Sequence, residues 1–323
     1  MSEQKPIGSR FNGASTAQEV VAGIDLSGRS AIVTGGYSGL GLETTRALAG
    51  VGAAVIVPAR DRAKAERTLA GIDNVRIEAM DLTDPASIAA FAERIVASGA
   101  PVSILVNSAG IMATPLARDA DGHESQFSTN HLGHFRLVAS LWPALVKADG
   151  ARVVSVSSRG HQIGPVDFDD HDFRARAYDK WQAYGQSKTA NALFALGLDR
   201  RGAAYGVRAF SLHPGVILTD LARHLSEAEI NSFDVYDENG NRRVDPSRDL
   251  KSPEQGAATS VWAATSRQLD GIGGVYCEDC EVALPQNEAE GNKGVAPWAM
   301  DPDAAERLWM LSERLTGLSL RRA

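Results

Sequence analysis

The sequence predicts an α/β fold built on one doubly wound parallel sheet of about seven strands, with helices on both faces. Two observations predict it. Short apolar, β-branched runs alternate with helical patterns along most of the 323 residues, the signature of a parallel sheet covered on both sides. A glycine-rich stretch, TGGYSGLG at 34–41, falls between the first apolar run and the helical pattern after it. No internal repeat or low-complexity tract interrupts the series.

The elements follow in order. AIVTG (31–35) reads as the first strand, LETTRALAGVG as the helix after it, and AAVIVPAR (53–60) as the second strand. A helical stretch precedes VRIEAMDL (75–82); DPASIAAFAERIVASG then leads to VSILVNSAG (102–110). A long helix through FSTNHLGHFRLVASLWPAL precedes ARVVSVSS (151–158). The helix containing AYGQSKTANALF leads to VRAFSLHPG (207–215), and GGVYCEDC (273–280) closes the series. Two segments depart from the pattern. Residues 1–28 form an N-terminal extension in which STAQE (15–19) resembles a capping box opening a short helix. The main domain is expected over 29–323. Within it, 222–251 is rich in charge and carries an Asn239-Gly240 turn. That segment is either a solvated surface insertion or a lid over a site.

Composition narrows the class. Hydrophobic residues make up 44% and charged residues 23%, with a formal charge of −7, as in ordinary globular proteins. No basic patch suggests nucleic acid as a partner. The N-terminus lacks an apolar targeting core, and no run approaches the ~20 apolar residues of a membrane span. A cytoplasmic protein with no membrane partner is expected. The two cysteines, Cys277 and Cys280 in CEDC, cannot complete a zinc site alone. They read as strand-end thiols in a reducing compartment, with a redox pair as the alternative. No metal site is expected.

The loop 34–41 has the make-up of a dinucleotide-binding turn. Its glycines let the backbone approach a pyrophosphate, and the helix behind it offers free N–H groups and a positive dipole end. Gly35, Tyr37, Ser38, Gly39, Leu40 and Gly41 are the candidate contacts. An acidic residue on the second strand would hold a ribose 2′-hydroxyl. Here Ala59 takes that place and Arg60 follows. Arginine suits a 2′-phosphate, so NADP(H) is favoured over NAD(H); the competing reading has Asp61 on the ribose. Tyr184 and Lys188 stand four residues apart, on one face of a helix. An ammonium beside a phenol would lower its pKa and equip it for proton transfer.

Taken together these motifs resemble the short-chain dehydrogenase/reductase family, single-domain type, over roughly 28–285. The loop 34–41 matches that family's T-G-x-x-x-G-x-G. Asp81-Leu82 matches a dipeptide that contacts adenine. Asn107-Ser108-Ala109-Gly110 matches N-N-A-G with one departure, at Ser108. Pro214 through Thr219 matches the P-G-x-x-x-T segment beside the nicotinamide carboxamide. Within the family the likeness is nearest to retinol-dehydrogenase-like and WW-domain-oxidoreductase-like members. It is carried by STAQEVVAGIDLSG, SSRGHQIGPVDFDD and AYGQSKTANALF, and by the 26 positions separating Ser158 from Tyr184. The resemblance implies a Rossmann-type domain and cofactor contacts at Asp81, Leu82, Asn107, Ala109, Gly110, Tyr184, Lys188, Pro214, Gly215, Ile217 and Thr219.

It also implies a catalytic tetrad of Asn130, Ser158, Tyr184 and Lys188. Tyr184 would be the proton donor or acceptor and Lys188 its electrostatic partner. Ser158 would be a donor to the substrate oxygen, with Ser157 the alternative if the register is shifted. Asn130 would hold a water linking Lys188 to solvent. His131, His134 and His161 have no role in such a tetrad and read as packing or surface groups. The expected activity is carbonyl–alcohol interconversion on a bulky apolar small molecule, by an NADP(H)-dependent enzyme forming a homodimer or homotetramer. Reduction of a carbon–carbon double bond and a non-catalytic dinucleotide sensor are the alternatives; the loop spacing argues against a nucleotide-sugar epimerase.

Overall fold

The computed structural model describes residues 2–320. Met1 and 321–323, which close the expected domain, lie outside the described residues. In chain order, a short helix α1 (Ala17–Val21) precedes β1 (Ser30–Val33), α2 (Gly39–Gly50), β2 (Ala54–Ala59), α3 (Arg62–Leu69), β3 (Val75–Ala79), α4 (Pro85–Ala97) and β4 (Ile104–Asn107). A one-turn helix, α5 (Ser125–Phe127), runs through a π-turn at Ser128–Leu132 into α6 (Gly133–Val146). Next come β5 (Arg152–Val156), α7 (Lys180–Gly202), β6 (Arg208–His213), α8 (Glu227–Ser232), α9 (Pro253–Thr265), β7 (Val275–Glu278), β8 (Glu281–Val282) and α10 (Pro302–Thr316). Local chemistry sets many of the helix starts. Asp61, Asp84, Asp179, Ser252 and Asp301 each accept a backbone N–H of the first turn, and Pro85, Pro253 and Pro302 follow three of them.

The strands form one sheet in the order β3-β2-β1-β4-β5-β6-β7-β8. All pairings are parallel except β7 with β8. The seven expected strands are present, and the eighth was not foreseen. It is a two-residue return through a tight turn whose central residues, Asp279 and Cys280, have φ of 53° and 58°, the conformation of a twisted hairpin. Neither residue is a glycine, so the sequence shows no ordinary turn signal there. The ion pairs from Asp279 to Lys251 (2.5 Å) and Lys293 (2.7 Å) hold the turn in place.

Apolar layers cover both faces. On one, α4, α6, α7 and α10 pack through Phe91, Phe135, Leu141, Phe194 and Trp309; the last pair stack at 5.9 Å with ring planes 6° apart. On the other, α1, α2 and α9 pack through Val20, Leu48, Val261 and Trp262. The expected capping box is present, with Thr16 as N-cap and Glu19 reciprocating. The extension before it lies along the β7–β8 edge: Gln4 donates to the carbonyls of Tyr276 and Ala283, and the Glu281 carboxylate accepts from Ile7 and Ser9. It thereby covers a sheet edge that would otherwise expose pairing groups.

α7 is buried without a break over 183–199, which its sequence periodicity does not show. Against it stand α10, through Trp309 and the Arg201–Glu306 pair, and the 159–179 loop, through Gln186 bonded to Asp167, His171 and Arg176. The chain therefore covers the α7 surface over 183–199 itself. Cys277 and Cys280 are free and buried. Burial pushes both thiols up, Cys280 to about 12, which disfavours the thiolate that redox exchange needs. Among the described residues no helix is long and apolar enough to cross a membrane.

Candidate active site

At the end of β1 the chain turns through 34–38 into α2. Gly35 has φ +65°, and a Cβ on Gly41 would stand 2.3 Å from the Gly35 carbonyl oxygen. The turn therefore needs glycine at both positions. Ser38 is the N-cap of α2 yet makes no side-chain cap bond, so the first-turn N–H groups are left for another acceptor. That cradle fits a pyrophosphate at a helix N-terminus.

The loop opens into a cavity of about 1020 Å³ over the C-terminal ends of the strands. The 34–41 loop, Arg60, Asp81 and Leu82 line one part; Ala109, Gly110, Ser158, Tyr184, Lys188 and the 214–219 segment line another. One expected contact is absent. Asn107, the last residue of β4, is only 2% exposed and does not reach the cavity; the strand pleat turns its side chain inward and leaves Ser108, Ala109 and Gly110 at the wall. Both polar atoms of the Asn107 side chain are unpartnered, and the structure offers no account of how they are satisfied.

Ser157 and Ser158 separate cleanly. The Ser157 hydroxyl donates to the Lys188 carbonyl at 2.7 Å, fastening β5 to α7. The Ser158 hydroxyl accepts from Gly160 N–H at 3.1 Å and is hydrogen-bonded to Tyr184. Lys188 donates to the Val156 carbonyl at 3.0 Å, and its Nζ lies 5.7 Å from the Tyr184 ring centroid. The expected lowering of the Tyr184 pKa is not what this arrangement produces. Burial pushes Tyr184 up to about 12, with the Ser158 hydrogen bond opposing. The same burial brings Lys188 down to about 8. Desolvation disfavours both charged forms, and at neutral pH it outweighs an ammonium engaged by a carbonyl.

Asn130 is fully buried on the π-turn. Its Oδ1 accepts from Ile111 N–H (2.9 Å), while Nδ2 donates to the Ile111 carbonyl (3.0 Å) and to Ser187 (2.9 Å). It does not line the cavity; it clamps the strand-end segment that does. A π-turn inside a helix is uncommon and often marks a functional position.

A family model described as short chain dehydrogenase matches residues 29–230. The chain belongs to the short-chain dehydrogenase/reductase family. A Streptomyces antibioticus protein named "Probable oxidoreductase" is 48% identical over 294 residues, covering 88% of this chain and 97% of its own. Retinol dehydrogenase 12 of Homo sapiens is 36% identical over 304 residues, 91% of this chain and 88% of that one. A solved structure of an uncharacterised Mycobacterium paratuberculosis protein superposes with a TM-score of 0.72 at 34% identity, over 96% of this chain and all of that one. The protein is an oxidoreductase of this family, which sets aside the non-catalytic sensor, and the family's cofactors are nicotinamide dinucleotides.

Within that family frame the histidines acquire places. His161 is held between the Ser158 carbonyl and Ala296 N–H, and His131 bonds Ser312. Burial lowers them to about 4 and about 3 respectively, so both are neutral packing groups. His134 does more. Its Nδ1 donates to the Asn130 carbonyl at 2.9 Å, so its Nε2 accepts from Thr34 Oγ1 at 3.0 Å. The Thr34 hydroxyl in turn accepts from Ser108 and Ala109 N–H at 2.9 and 3.0 Å. One buried chain of bonds thus joins the glycine loop, the end of β4 and the Asn130 turn.

A second network escaped the sequence reading. Arg159 N–H donates to His213 Nδ1 (2.9 Å), and Asp249 Oδ2 receives His213 Nε2 (2.7 Å) and the Arg159 guanidinium (2.9 Å). Burial raises the Asp249 carboxyl, but His213, Arg159 and Lys251 outweigh it and hold it well below the usual range. The network ties the residue after Ser158 to the end of the 222–251 segment. Only the position of His213 before Pro214-Gly215 could have flagged it.

Thr34→Val keeps the shape and removes the hydroxyl, leaving Ala109 N–H and His134 Nε2 without that partner, while Ser108 N–H keeps its bond to the Val106 carbonyl at 3.1 Å. It is expected to destabilise the protein by about 1–3 kcal/mol per orphaned group at most, read as a lowered thermal midpoint; an unchanged midpoint would show the junction to be dispensable.

Proposed function

We propose that the protein interconverts a carbonyl and an alcohol on a bulky apolar substrate, using NADP(H). The observation carrying this reading is that Ser158, Tyr184 and Lys188 share the wall of one cavity with the glycine loop and Arg60. The bound dinucleotide supplies a hydride to the carbonyl carbon in reduction and accepts it in oxidation. The protein's part is orientation and the proton. In reduction Tyr184 gives its phenolic proton to the substrate oxygen, and its raised pKa keeps that proton in place at rest. Ser158 donates a second hydrogen bond to the same oxygen, where charge develops in the transition state. Lys188 stabilises the phenolate left behind. Asn130, whose carbonyl has one lone pair beyond the His134 bond, holds the water through which the proton is replaced.

Three features support NADP(H) over NAD(H). Ala59 is apolar and buried, Arg60 is exposed at the cavity wall, and Asp61 is committed as the α3 cap to Lys64 N–H at 2.9 Å. Asp61 does not line the cavity. The substrate end is closed by the 222–251 segment, which we read as a lid. Leu225, Ile230, Phe233 and Val235 face the cavity; Tyr236 does not line it. The segment is fastened by Glu229, which bonds Lys180 (2.7 Å) and Trp181 Nε1 (3.2 Å). Trp181 stands edge-on between Phe233 and Tyr184, with ring centroids 6.0 and 6.3 Å away.

Tyr184→Phe should lower turnover of an apolar ketone by about 10²–10⁴-fold with NADPH affinity unchanged; retained turnover sinks the proton-transfer role. In the native protein the reductive rate should decline as pH rises through about 8, where Lys188 loses its charge while Tyr184 stays protonated. Arg60→Ala should weaken NADPH by about tenfold or more and leave NADH nearly unaffected, measured by nucleotide fluorescence titration. Equal losses would refute the 2′-phosphate assignment. Glu229→Ala should raise KM for the ketone several-fold without altering NADPH affinity, and an unchanged KM would remove the lid from the account.

A further inference from the structure

We propose that His123, His171 and Asp172 bind a divalent transition-metal ion of the zinc class, clipping the 159–179 loop to the segment entering α5. None of the three lines the catalytic cavity. One donor atom from each lies within 4.8 Å of the others. His123 Nδ1 and His171 Nε2 approach the same carboxylate oxygen, Asp172 Oδ2, at 3.1 and 3.4 Å. In a tetrahedral site with metal–ligand bonds of ~2.0–2.2 Å, neighbouring donors stand roughly 3.3–3.5 Å apart. The two histidine-to-aspartate edges already have about that spacing.

His123 Nδ1 and Asp172 Oδ2 share a hydrogen bond at 3.1 Å, but His171 is left out of it. Both ring nitrogens of His171 are buried with no hydrogen-bond partner, an unfavourable state for polar atoms. The plane of the His171 ring is positioned by Phe127, with centroids 5.3 Å apart. The other oxygen of Asp172 accepts Glu124 N–H at 2.9 Å, the kind of outer contact that orients a ligating carboxylate. Arg174 is the competing cation, 3.7 Å from Asp172 Oδ2, but its side chain is 60% exposed and its guanidinium also donates to the Gly122 carbonyl at 2.9 Å. Two imidazoles and one carboxylate favour zinc, cobalt or nickel over magnesium or calcium, and a water completes the set.

The placement gives the ion a structural task. His171 and Asp172 lie on the loop joining Ser158 to Tyr184, and His123 lies just before α5, which runs into the turn bearing Asn130. A metal there would brace both flanks of the tetrad from outside the cavity. The ligands come from segments 48 positions apart (His123 to His171), without the close spacing of familiar metal motifs, and the sequence therefore gives no hint of them.

The test uses full-length, tag-free protein stripped with chelator and titrated with Zn²⁺ by calorimetry, with bound metal counted by mass spectrometry. One Zn²⁺ per chain is expected, together with a raised thermal midpoint and protection of the 159–179 loop from proteolysis. His171→Ala and Asp172→Asn should each weaken Zn²⁺ by at least about tenfold. Asp172→Asn keeps an acceptor for Glu124 N–H, so its metal-free melting point verifies that the fold is intact. The double variant Cys277→Ser/Cys280→Ser should bind Zn²⁺ as the parent does. Absence of stoichiometric binding, undiminished affinity in the histidine and aspartate variants, or loss of binding in the cysteine variant would each overturn the proposal.

Discussion

Pairing of β1 with both β2 and β4 is the constraint on which the rest of the molecule depends. The chain builds outward from β1 in one direction through β2 and β3, then returns to lay β4 on its other side. The connections leaving β1 and β4 therefore diverge, and a crevice opens over the C-terminal ends of the strands. Each chemical group in the cavity follows a strand end: the glycine loop after β1, Arg60 after β2, Asp81 after β3, Gly110 after β4, Ser158 after β5 and Gly215 after β6. Parallel pairing brings all six ends to one side of the sheet, so residues distant in sequence share one wall.

Burial is the second governing effect. α7 is covered on all sides over 183–199, and this burial is what shifts both Tyr184 and Lys188. Water removal raises the tyrosine and depresses the lysine, so each is biased towards its neutral form. A phenol that holds its proton at rest is ready to donate it when a substrate oxygen gains negative charge. Of the elements covering α7, the 159–179 loop also lines the cavity, through Arg159, Gly160 and Ile163, whereas α10 does not.

Two hydrogen-bond networks set the walls. The chain from Thr34 through His134 to Asn130 locks the glycine loop to the strand end and to the π-turn. The cluster of Arg159, His213 and Asp249 joins the end of β5 to the 222–251 segment. In each, a neutral histidine has its tautomer determined by one obligate partner, a backbone carbonyl for His134 and a backbone N–H for His213. The imidazoles act as two-ended connectors between loops that share no regular secondary structure.

Much of this was legible in the sequence, for physical reasons that are local. Seven strands declare themselves as apolar runs, helix starts by their caps, and the dinucleotide turn by glycines that no other residue could replace at Gly35 and Gly41. Tyr184 and Lys188 are read from helical spacing, and Arg60 from its place after a strand. What the sequence could not determine depends on contacts between segments far apart in it. Asn107 points away from the cavity because of the strand's pleat. β8 exists because two lysines hold Asp279 in a left-handed turn. The upward shift of Tyr184 comes from desolvation in the folded molecule, where Gly160 and Trp181 pack against its ring. The connections of His134 and His213, and the meeting of His123 with His171 and Asp172, likewise arise only when loops converge. Local propensity and periodicity are written along the chain; burial and convergence are properties of the folded molecule, and they decided the electrostatics of the site.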